Sequence, residues 1–493
     1  MISDTITAIA TALSESGIGI VRISGEESLE IADKIFRTKS GKQLLLNVNS
    51  HTVHHGYIVD KDVSDSGNMW KSSIIDEVMA VVMKAPRSYT MEDTVEINCH
   101  GGILVIQKIL ETVINSGARL AEPGEFTKRA FLNGRIDLSE AEAVIDIIHS
   151  KNEFALKSSV NQLKGSVSAT VKKMREDIIY EIAFIESALD DPEHISLEGY
   201  SERLLSKLKS IIDQVEKLVD SADNGRIIKE GINTVIVGKP NVGKSSLLNI
   251  MIGEERAIVT DIAGTTRDIL QEIINLKGIS LNIIDTAGIR NTDDIVEKIG
   301  VEKAIKFARN ADLILYMADT STELDENDKN IISFIGQKNT IILMNKSDLD
   351  SVVELRDLIK LISDVTGEEL IIQELTNDNS VIMIKDKEIR IVRTSLKENK
   401  GIDLLENIIM DMFFHGKIKI NDEVVITNIR HKSMLQDVMN SLLLVKKSLN
   451  ENMPEDFLSI DLMSAYSSLG LIIGEEIADD LANEIFSKFC MGK

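Results

Sequence analysis

The stretch TVIVGKPNVGKSSLLN, residues Thr234–Asn249, decides the fold of the central part of the chain. Its apolar, β-branched start predicts a buried strand, and its end predicts a helix. Between them, residues 238–245 match the pattern G-x-x-x-x-G-K-[ST]. In that pattern the glycines let backbone N–H groups converge on phosphate oxygens at a helix N-terminus. The stretch therefore predicts a nucleotide site between a strand and a helix of an α/β domain.

Two later motifs predict which nucleotide binds. Asp285-Thr-Ala-Gly288 and Asn345-Lys-Ser-Asp348 each follow a short apolar run that predicts a buried parallel strand. A carboxylate at Asp348 can accept two N–H bonds from guanine, whereas the N1 acceptor of adenine would repel it. Ser395-Leu396-Lys397 is a weaker candidate for a further base contact. Three motifs in this order predict a guanine-nucleotide GTPase.

The residue types around the phosphates predict how hydrolysis would work. Lys244 would neutralise the β- and γ-phosphates, and the Ser245 hydroxyl would ligate Mg²⁺. Ile289 stands where Ras-like enzymes place the glutamine that orients the attacking water. Another residue must therefore position the water. Glu297 is one candidate, and the alternative for Glu297 is an ordinary solvated helix residue.

The composition limits the function classes. The chain has 493 residues, enough for about three domains. Its 55 Lys and Arg against 79 Asp and Glu give a net charge of −24, which argues against non-specific coating of nucleic acid. The sequence has two cysteines, Cys99 and Cys490, which exclude a disulfide framework and predict a reducing compartment. We expect neither a secretory signal nor a membrane span, because no apolar run approaches roughly 20 residues.

The spacing of apolar residues changes along the chain. Up to about Asn133, strand-like runs mix with helical stretches, which predicts a compact α+β domain. From about Leu138 the apolar residues have helical spacing, and Ser139 with Glu142 resembles a capping box. We expect long helices there, with a break near Asp191-Pro192.

An alternating segment interrupts this helical texture. From Gly231 to about Phe413 strands and helices alternate, which predicts a parallel sheet with crossover helices. Within it, Val381–Ile384 and Ile389–Val392 predict an extra hairpin, and after Asn421 the helical texture returns. The simplest architecture is a helical domain built from two separated segments, with an α/β domain inserted between them.

On its motifs, essentially the whole chain resembles one family, the bacterial and organellar tRNA-modification GTPases called MnmE or TrmE. The resemblance rests on DTITAIAT (Asp4–Thr11), GIGIVRISG (Gly17–Gly25), VEINCHGG (Val95–Gly102), PGEFTKRAFLN (Pro123–Asn133), AIVTDIAGTTRD (Ala257–Asp268), DTAGIR (Asp285–Arg290) and FCMGK (Phe489–Lys493). The terminal Cys-x-Gly-Lys and the inserted GTPase segment are not features of generic Era-like GTPases, so the combination is specific.

The resemblance implies a multi-domain fold that combines α+β, all-α and α/β parts. These are an N-terminal tetrahydrofolate-binding and dimerisation domain, a discontinuous helical domain and an inserted Ras-like P-loop GTPase domain. The expected ranges are 1–133 for the N-terminal domain, 134–228 for the first helical part, 229–413 for the GTPase domain, and 414–493 for the second helical part with the C-terminal motif.

The resemblance also implies an activity. With a flavin-dependent partner, such proteins add an aminomethyl-type group at C5 of the wobble uridine of tRNA. The one-carbon unit comes from a tetrahydrofolate derivative of the 5-formyl or methylene type, and GTP hydrolysis with Mg²⁺ and K⁺ drives the cycle. We expect a cytoplasmic homodimer that forms a heterotetramer-type complex with the flavin-dependent partner and has no membrane association.

The same resemblance implies the nucleotide and metal sites. The expected nucleotide contacts are Asn241, Val242, Gly243, Lys244, Ser245, Ser246, Thr260, Asp261, Ile262, Ala263, Gly264, Thr265, Thr266, Asp285, Thr286, Ala287, Gly288, Asn345, Lys346, Ser347, Asp348, Ser395, Leu396 and Lys397. Ser245 and Thr266 would ligate Mg²⁺. The expected K⁺ ligands are Asn241, Thr260, Ile262 and Thr265. Glu297 would orient the water, and the plain alternative for Asn241 is a turn residue after Pro240.

For folate the resemblance implies Arg22, Glu96, Arg135 and Lys493. The family often has lysine where this chain has Arg135, which keeps the charge and changes the donor geometry. Without the resemblance, Arg22 and Glu96 would be surface or structural ion-pair residues. Cys490 is a candidate nucleophile or resting-state contact, and its alternative is a packed small residue.

Two other functions remain open at this point. One is a ribosome-assembly or regulatory GTPase switch with a folate-sensing module, and the acidic C-terminus of this chain disfavours it. The other is a folate-dependent transferase whose GTPase is only a regulator.

Overall fold

The computed structural model describes residues 4–60, 67–194, 198–256, 271–284, 307–335, 338–368, 370–375, 379–384, 387–414, 424–451, 453–475, 479–487, 489 and 492. The chain forms two compact units. The first comprises Met1–Ile145, Gln162–Leu208 and Asn440–Lys493, and the second comprises Asp146–Asn161 and Lys209–Met439. The four predicted domain ranges cut the chain at other positions and stay a prediction.

The first unit contains a seven-stranded sheet with the order β3-β4-β5-β6-β2-β1-β7. Its elements are β1 (Ile6–Ile9), β2 (Ser16–Ser24), α1 (Ser28–Ile35), β3 (Phe36–Arg37), β4 (Thr52–Val59), β5 (Ile74–Met83), β6 (Thr94–Gly101), α2 (Ile103–Asn115) and β7 (Arg119–Leu120). Neighbouring strands are antiparallel except β1 and β7, which are parallel. The strands predicted near residues 18–23, 77–83 and 94–98 are therefore confirmed.

The two faces of this sheet differ in chemistry because side chains alternate along each strand. Val21 and Ile97 lie on the face that packs with α1 and α2 into one apolar core, together with Ile106 of α2. Arg22 and Glu96 lie on the opposite face, directly across from each other in the β2–β6 register. The sheet thus has its main apolar core on one face. The other face, called the polar face below, carries this charged pair beside a smaller apolar cluster that includes Ile6, Ala8 and Phe126.

Helices follow the first sheet along the chain. They are α3 (Glu125–Leu132), α4 (Leu138–His149), α5 (Glu153–Leu163), α6 (Ser166–Asp190) and α7 (Tyr200–Glu230). The predicted break near Asp191-Pro192 is confirmed, because α6 ends at Asp190 and Pro192 cannot continue its hydrogen bonding.

The predicted capping box of α4 is wrong by two residues. Asp137 accepts from the backbone N–H of Glu140 at 3.0 Å, and the Glu140 carboxylate accepts from the backbone N–H of Asp137 at 2.9 Å. The hydroxyl of Ser139 itself donates to Asp137 at 2.7 Å. Asp137 is the N-cap because it precedes the first helical residue, and it satisfies N–H groups that the helix leaves open.

The second unit contains an eight-stranded sheet with the order β13-β14-β15-β12-β11-β8-β10-β9. Its elements are β8 (Ile232–Gly238), α8 (Lys244–Arg256), β9 (Gln271–Leu276), β10 (Ile279–Ile284), β11 (Leu313–Asp319), α9 (Glu326–Ile335), β12 (Asn339–Asn345), α10 (Leu355–Thr366), β13 (Leu370–Leu375), β14 (Asn379–Ile384), β15 (Lys387–Arg393) and α11 (Ile402–Phe414). The five strands from β15 to β10 in that order are parallel, as predicted.

The predicted hairpin is confirmed, but only one of its two strands is additional to the central sheet. β14 and β15 do form an antiparallel hairpin, yet β15 also pairs in parallel with β12 and belongs to the central sheet. The additional strands are β13 and β14, which extend the sheet in antiparallel fashion beyond β15. The alternation of apolar and polar residues predicted the positions of the strands, but it does not determine which strands pair.

The β9–β10 hairpin is held at its turn by residues of the 151–154 segment. Asn152 Nδ2 donates to Ser280 Oγ at 3.2 Å and to the carbonyl oxygen of Ile228 at 3.0 Å. Gly278 has a left-handed φ of +91°, and a Cβ there would lie 2.6 Å from the ring of Phe154. Glycine is therefore required by both the backbone conformation and the ring beside it.

The chain ends in three helices, α12 (Ile429–Asn450), α13 (Glu455–Ile473) and α14 (Asp479–Ser487). Within the first unit, α13 packs along α6. Across the described ranges, no helix combines the length and the apolar character that crossing a membrane requires.

Candidate functional site

The phosphate loop connects the end of β8 to the start of α8 at Lys244. Gly238 and Gly243 have φ values of +155° and +107°, and Asn241 has a φ of +62°. Asparagine tolerates the left-handed region better than most residues, because its short side chain can hydrogen-bond locally. The loop therefore bends sharply and brings the helix N-terminus, where N–H groups are open, to the end of a central strand.

Gly243 is required by its neighbour as well as by its backbone. A Cβ on this residue would lie 2.7 Å from Asn345 Nδ2 and 3.1 Å from Leu396 Cδ1. Asn345 and Leu396 thus lie directly against the phosphate loop, and only a residue without a side chain fits at position 243.

Lys244 begins α8 with its side chain directed back along the loop. Its Nζ donates to the carbonyl oxygen of Gly238 at 2.8 Å and to that of Lys239 at 2.7 Å. Ser245 and Ser246 follow in the first turn and are exposed. The ammonium is therefore held inside the curve of the loop, where a bound phosphate would meet it.

Asn345 connects three segments of the site. Its Nδ2 donates to the carbonyl oxygen of Val242 at 2.8 Å, and its Oδ1 accepts from the backbone N–H of Leu396 at 3.3 Å. The hydroxyl of Thr394 lies 3.4 Å from the same oxygen. Asn345 is buried, so these bonds satisfy a side chain that would otherwise be costly to remove from water.

The predicted base-recognition residues lie together. Asp348 Oδ1 accepts a hydrogen bond from Ser395 Oγ at 2.7 Å. That bond, with the charges of Lys397 and Lys400, outweighs desolvation and holds the pKa of Asp348 below its ordinary value. Asp348 is therefore a carboxylate at neutral pH, the form that accepts N–H bonds.

Lys346, in the motif Asn345–Asp348, forms an ion pair with Asp319. Its Nζ lies 2.6 Å from Asp319 Oδ2, and its backbone has a left-handed φ of +62°. Burial raises the pKa of Asp319, but hydrogen bonds from Lys346 and Ser321 outweigh it and leave the pKa below its ordinary value. The neighbouring Ser347 donates its N–H to the carbonyl oxygen of Thr394 at 3.1 Å.

The parallel strands explain why these motifs meet. The loop and the motifs follow the carboxyl ends of β8, β12 and β15, which lie on one edge of the sheet, where ligands of open α/β sheets bind. The remaining predicted nucleotide and metal residues lie outside the described residues, and so does Glu297. They are Thr260, Asp261, Ile262, Ala263, Gly264, Thr265, Thr266, Asp285, Thr286, Ala287 and Gly288.

A second polar cluster lies in the first unit, on the polar face of the seven-stranded sheet. Arg22 Nε lies 2.8 Å from Glu96 Oε1, and Arg22 Nη1 donates to the carbonyl oxygen of Gly492 at 3.2 Å. The guanidinium of Arg135 stacks over the ring of Tyr89, with 4.5 Å between its Cζ and the ring centroid, and Arg22 lies 5.6 Å from the same centroid. Residues far apart in the sequence thus converge on Tyr89.

The same face carries an unsatisfied polar atom. Asn98 follows Glu96 by two residues on β6, so both side chains lie on one face. Its amide oxygen is buried and has no hydrogen-bond partner among the described residues. A buried acceptor without a donor costs free energy, so this position favours a polar ligand that brings one.

The C-terminal tail reaches this cluster through two described residues. Phe489 is buried, and its ring centroid lies 5.4 Å from that of Phe486. Gly492 has a φ of +90°, and a Cβ there would lie 2.2 Å from the carbonyl oxygen of Ile9. Cys490 and Lys493 lie outside the described residues.

Comparison with known proteins decides the family. Residues 5–135 match the family described as GTP-binding protein TrmE N-terminus, and residues 138–490 match the one described as MnmE helical domain. A tRNA modification GTPase MnmE of Lachnoclostridium phytofermentans is 55% identical over 100% of both chains. The chain belongs to the MnmE family of tRNA modification GTPases.

Other relatives agree with this assignment. The MnmE proteins of Acetivibrio thermocellus and Clostridioides difficile are 45% and 46% identical, the former over 99% of both chains. A solved structure of Era from Aquifex aeolicus is 26% identical over 43% of this chain and 67% of its own, with a TM-score of 0.26, so it adds no argument. As a member of the MnmE family, the protein is a GTP hydrolase of tRNA modification.

Some residues of these sites escaped the sequence analysis. Tyr89, Asn98 and Asp319 carry no motif of their own, and tertiary structure alone brings them to the clusters. One signal was available for Asp319. It ends an apolar run, Leu313–Ala318, and polar residues that end parallel strands lie at the ligand edge of such sheets.

Proposed function

We propose that the protein couples GTP hydrolysis to the addition of an aminomethyl-type group at C5 of the wobble uridine of tRNA. In this proposal a flavin-dependent partner protein takes part, and a tetrahydrofolate derivative supplies the one-carbon unit. The observation that carries the folate part is that Arg22 and Arg135 both lie at the ring of Tyr89, while Arg22 also contacts Glu96 and the penultimate residue, Gly492.

The residues of this cluster fit a folate. The Glu96 carboxylate can accept N–H groups of a pterin edge, and the two arginines can bind the carboxylates of a glutamate tail. The ring of Tyr89 offers a flat apolar surface, and the unsatisfied oxygen of Asn98 can accept a further N–H. Lys493 would add a third cation for the carboxylates of the glutamate tail. The bound folate would supply the one-carbon unit, and these side chains would bind and orient it.

The GTPase part of the proposal assigns roles to described residues of the phosphate and base motifs and to predicted residues outside the described ranges. Lys244 would neutralise the phosphates, and Asp348 with Ser395 would select guanine. Ser245 and Thr266 would hold Mg²⁺, which stabilises charge on the phosphate oxygens. Asn241 with Thr260, Ile262 and Thr265 would hold K⁺, and Glu297 would orient the attacking water.

The structure offers one observation on the cation proposal. Asn241 is exposed, and its left-handed backbone is fixed by the glycine-flanked loop. An amide oxygen is a hard ligand that suits K⁺, and the side chain is available at the phosphate loop. We further propose a cytoplasmic homodimer that joins the flavin-dependent partner in a heterotetramer-type complex.

The experiment that tests the function is nucleoside analysis of tRNA from cells that lack the protein. We expect loss of the modified wobble uridine, restored by the wild-type chain and not by a chain with Lys244→Ala. Unchanged nucleosides would contradict the proposal and would favour a regulatory GTPase.

A second measurement isolates the folate site. The full-length protein is titrated with 5-formyltetrahydrofolate, and Glu96→Gln is compared with Glu77→Gln, an exposed glutamate on neighbouring β5 that pairs with His55. We expect at least about tenfold weaker binding for Glu96→Gln, because the loss of a charge-assisted bond is involved. Glu77→Gln should bind as the wild type does. Equal affinity of all three proteins would remove the folate assignment from this cluster.

A further inference from the structure

A buried ion pair adjoins the phosphate loop and lies outside every site assigned above. Lys239 directly follows Gly238, and its Nζ lies 2.7 Å from Asp328 Oδ2 in the first turn of α9. The Lys239 side chain is 12% exposed and the Asp328 side chain 0%. The pattern G-x-x-x-x-G-K-[ST] accepts any residue at the position of Lys239, so a buried charge there needs another explanation.

The carboxylate of Asp328 is held on both oxygens. Tyr316 Oη donates to Asp328 Oδ1 at 2.8 Å, and the backbone N–H of Asp325 donates to Oδ2 at 2.9 Å. Tyr316 is completely buried on β11, opposite Val237 of β8. Because rigid strands carry Tyr316, Asp328 has a fixed position relative to the strand that leads into the loop.

The ammonium group of Lys239 has two further polar contacts besides Asp328. Its Nζ also donates to the carbonyl oxygen of Glu323 at 3.0 Å and lies 3.4 Å from Asp325 Oδ2. Burial lowers the pKa of Lys239, but the hydrogen bond and charge of Asp328, with those of Asp325, outweigh it and raise the pKa above its ordinary value. The side chain therefore remains a charged anchor.

The backbone of the same residue contacts the catalytic lysine. The carbonyl oxygen of Lys239 accepts from Lys244 Nζ at 2.7 Å. Tyr316 and Asp328 thus hold the side chain of Lys239 by polar contacts, and the backbone carbonyl of Lys239 in turn contacts Lys244. A displacement of Lys239 would move the carbonyl that orients the ammonium.

We propose that Tyr316, Asp328 and Lys239 form a positioning unit that fixes the phosphate loop and orients Lys244 for GTP hydrolysis. The unit acts through Lys244 and does not bind the nucleotide itself. The competing explanation is that the ion pair only stabilises the start of α9, where Asp325 and Asp328 form a capping box.

Steady-state GTP hydrolysis by the full-length protein separates the two explanations. For Lys239→Met we expect kcat to fall by roughly tenfold or more, because small displacements of catalytic groups have large effects on rate. Lys239→Arg, which keeps the charge, should retain most of the activity. Lys329→Met is the matched control on α9, since Lys329 pairs with Glu326 at the surface, and it should leave kcat unchanged.

A double variant makes the test independent of stability. Lys239→Met leaves the Asp328 carboxylate buried without its cation, and Asp328→Asn removes that charge while keeping an acceptor. The Lys239→Met, Asp328→Asn protein should therefore regain thermal stability and still hydrolyse GTP slowly. Tyr316→Phe, which removes one hydroxyl, should lower kcat less than Lys239→Met does and leave the fold intact.

Two results would overturn the proposal. One is a Lys239→Met protein that hydrolyses GTP at the wild-type kcat. The other is a double variant in which kcat recovers together with the melting temperature, since that would reduce the ion pair to a contribution to stability.

Discussion

Asn345 donates from its side-chain amide to the carbonyl oxygen of Val242, 2.8 Å away, so the motif for guanine also supports the phosphate loop. One buried side chain therefore links the base end of the nucleotide site to its phosphate end. This link explains why Gly243 has no space for a side chain, since the amide of Asn345 occupies it.

Base selectivity should depend on Asp348. Asp348→Asn should shift the preference from guanosine to xanthosine nucleotides, because xanthine presents a carbonyl group where guanine presents an amino group. The measurement is competition of GTP and XTP for the full-length protein. The hydroxyl of Ser395, which donates to Asp348, can still donate to the oxygen of the new amide. An Asp348→Asn protein that prefers GTP over XTP as strongly as the wild type does would contradict the assignment of the base site.

Hydrolysis should require potassium. Ile289 replaces the glutamine that orients water in Ras-like enzymes, and no arginine identifies itself in the sequence as a finger, so a bound cation would stabilise the developing charge. We expect faster turnover in KCl than in NaCl at equal ionic strength. Asn241→Ala should lose this stimulation and keep its nucleotide affinity within about tenfold, or about 1.4 kcal/mol.

The matched control for the potassium experiment is Asn330→Ala, an exposed asparagine on α9, which should keep the full stimulation. Equal rates of the wild-type protein in the two salts would be decisive evidence against a cation at this site.

The C-terminal tail should matter for modification and not for basal hydrolysis. Gly492 accepts a hydrogen bond from Arg22, within the first unit, whereas the phosphate loop belongs to the second. Removal of Cys490–Lys493 should therefore abolish tRNA modification and leave basal GTP hydrolysis largely intact. Nucleoside analysis and a phosphate-release assay on the same protein check both halves. A matching loss of hydrolysis would show that the truncation disturbs the whole molecule.

Cys490→Ser tests a narrower hypothesis about this tail. Serine keeps the size of the side chain and cannot form a thiolate at neutral pH. If Cys490 has a chemical role, the variant should bind folate normally and fail to modify tRNA. Normal tRNA modification by the variant would show that Cys490 has no chemical role and favour the alternative of a packed small residue.

Cys99 should be chemically inert in the native protein. Burial raises the pKa of its thiol to about 11, and its Sγ donates to the carbonyl oxygen of Gly19 at 3.3 Å. The thiolate is the reactive form, so little of Cys99 can react at pH 8. In the Cys490→Ser background, a thiol reagent should find no fast-reacting group in the native protein and one group after denaturation. Rapid labelling of the native variant would contradict the burial of Cys99.

The sequence predicted the strand, the loop and the helix around Lys244, because this motif is local. A glycine-rich loop, a strand and a helix follow one another within Thr234–Asn249, so their geometry depends mainly on neighbouring residues. The pairing of β15 with β12 was different, because an alternating pattern identifies a strand and not its partner. The contact of Tyr89 with Arg135 also has no local signal, since it exists only after the chain folds.

The N-cap of α4 is another feature that the sequence alone did not determine. Both D-x-x-E and S-x-x-E patterns occur within Asp137–Glu142, and each satisfies the sequence rule for a helix start. The choice of Asp137 depends on where the chain enters the helix, and that point lies two residues before the predicted one.

The contacts of Asn152 and Phe154 with the β9–β10 hairpin restrain a segment that lies between two predicted nucleotide-binding stretches. The strands of this hairpin connect two stretches of chain: the first contains Thr265 and Thr266, and the second begins at Asp285. Between these two stretches, the hairpin is held by a hydrogen bond from the Asn152 side-chain amide to Ser280 and by the ring of Phe154 beside Gly278. The turn of the β9–β10 hairpin is therefore anchored to Asn152 and to Phe154 of α5, and a shift of the hairpin would have to break these contacts.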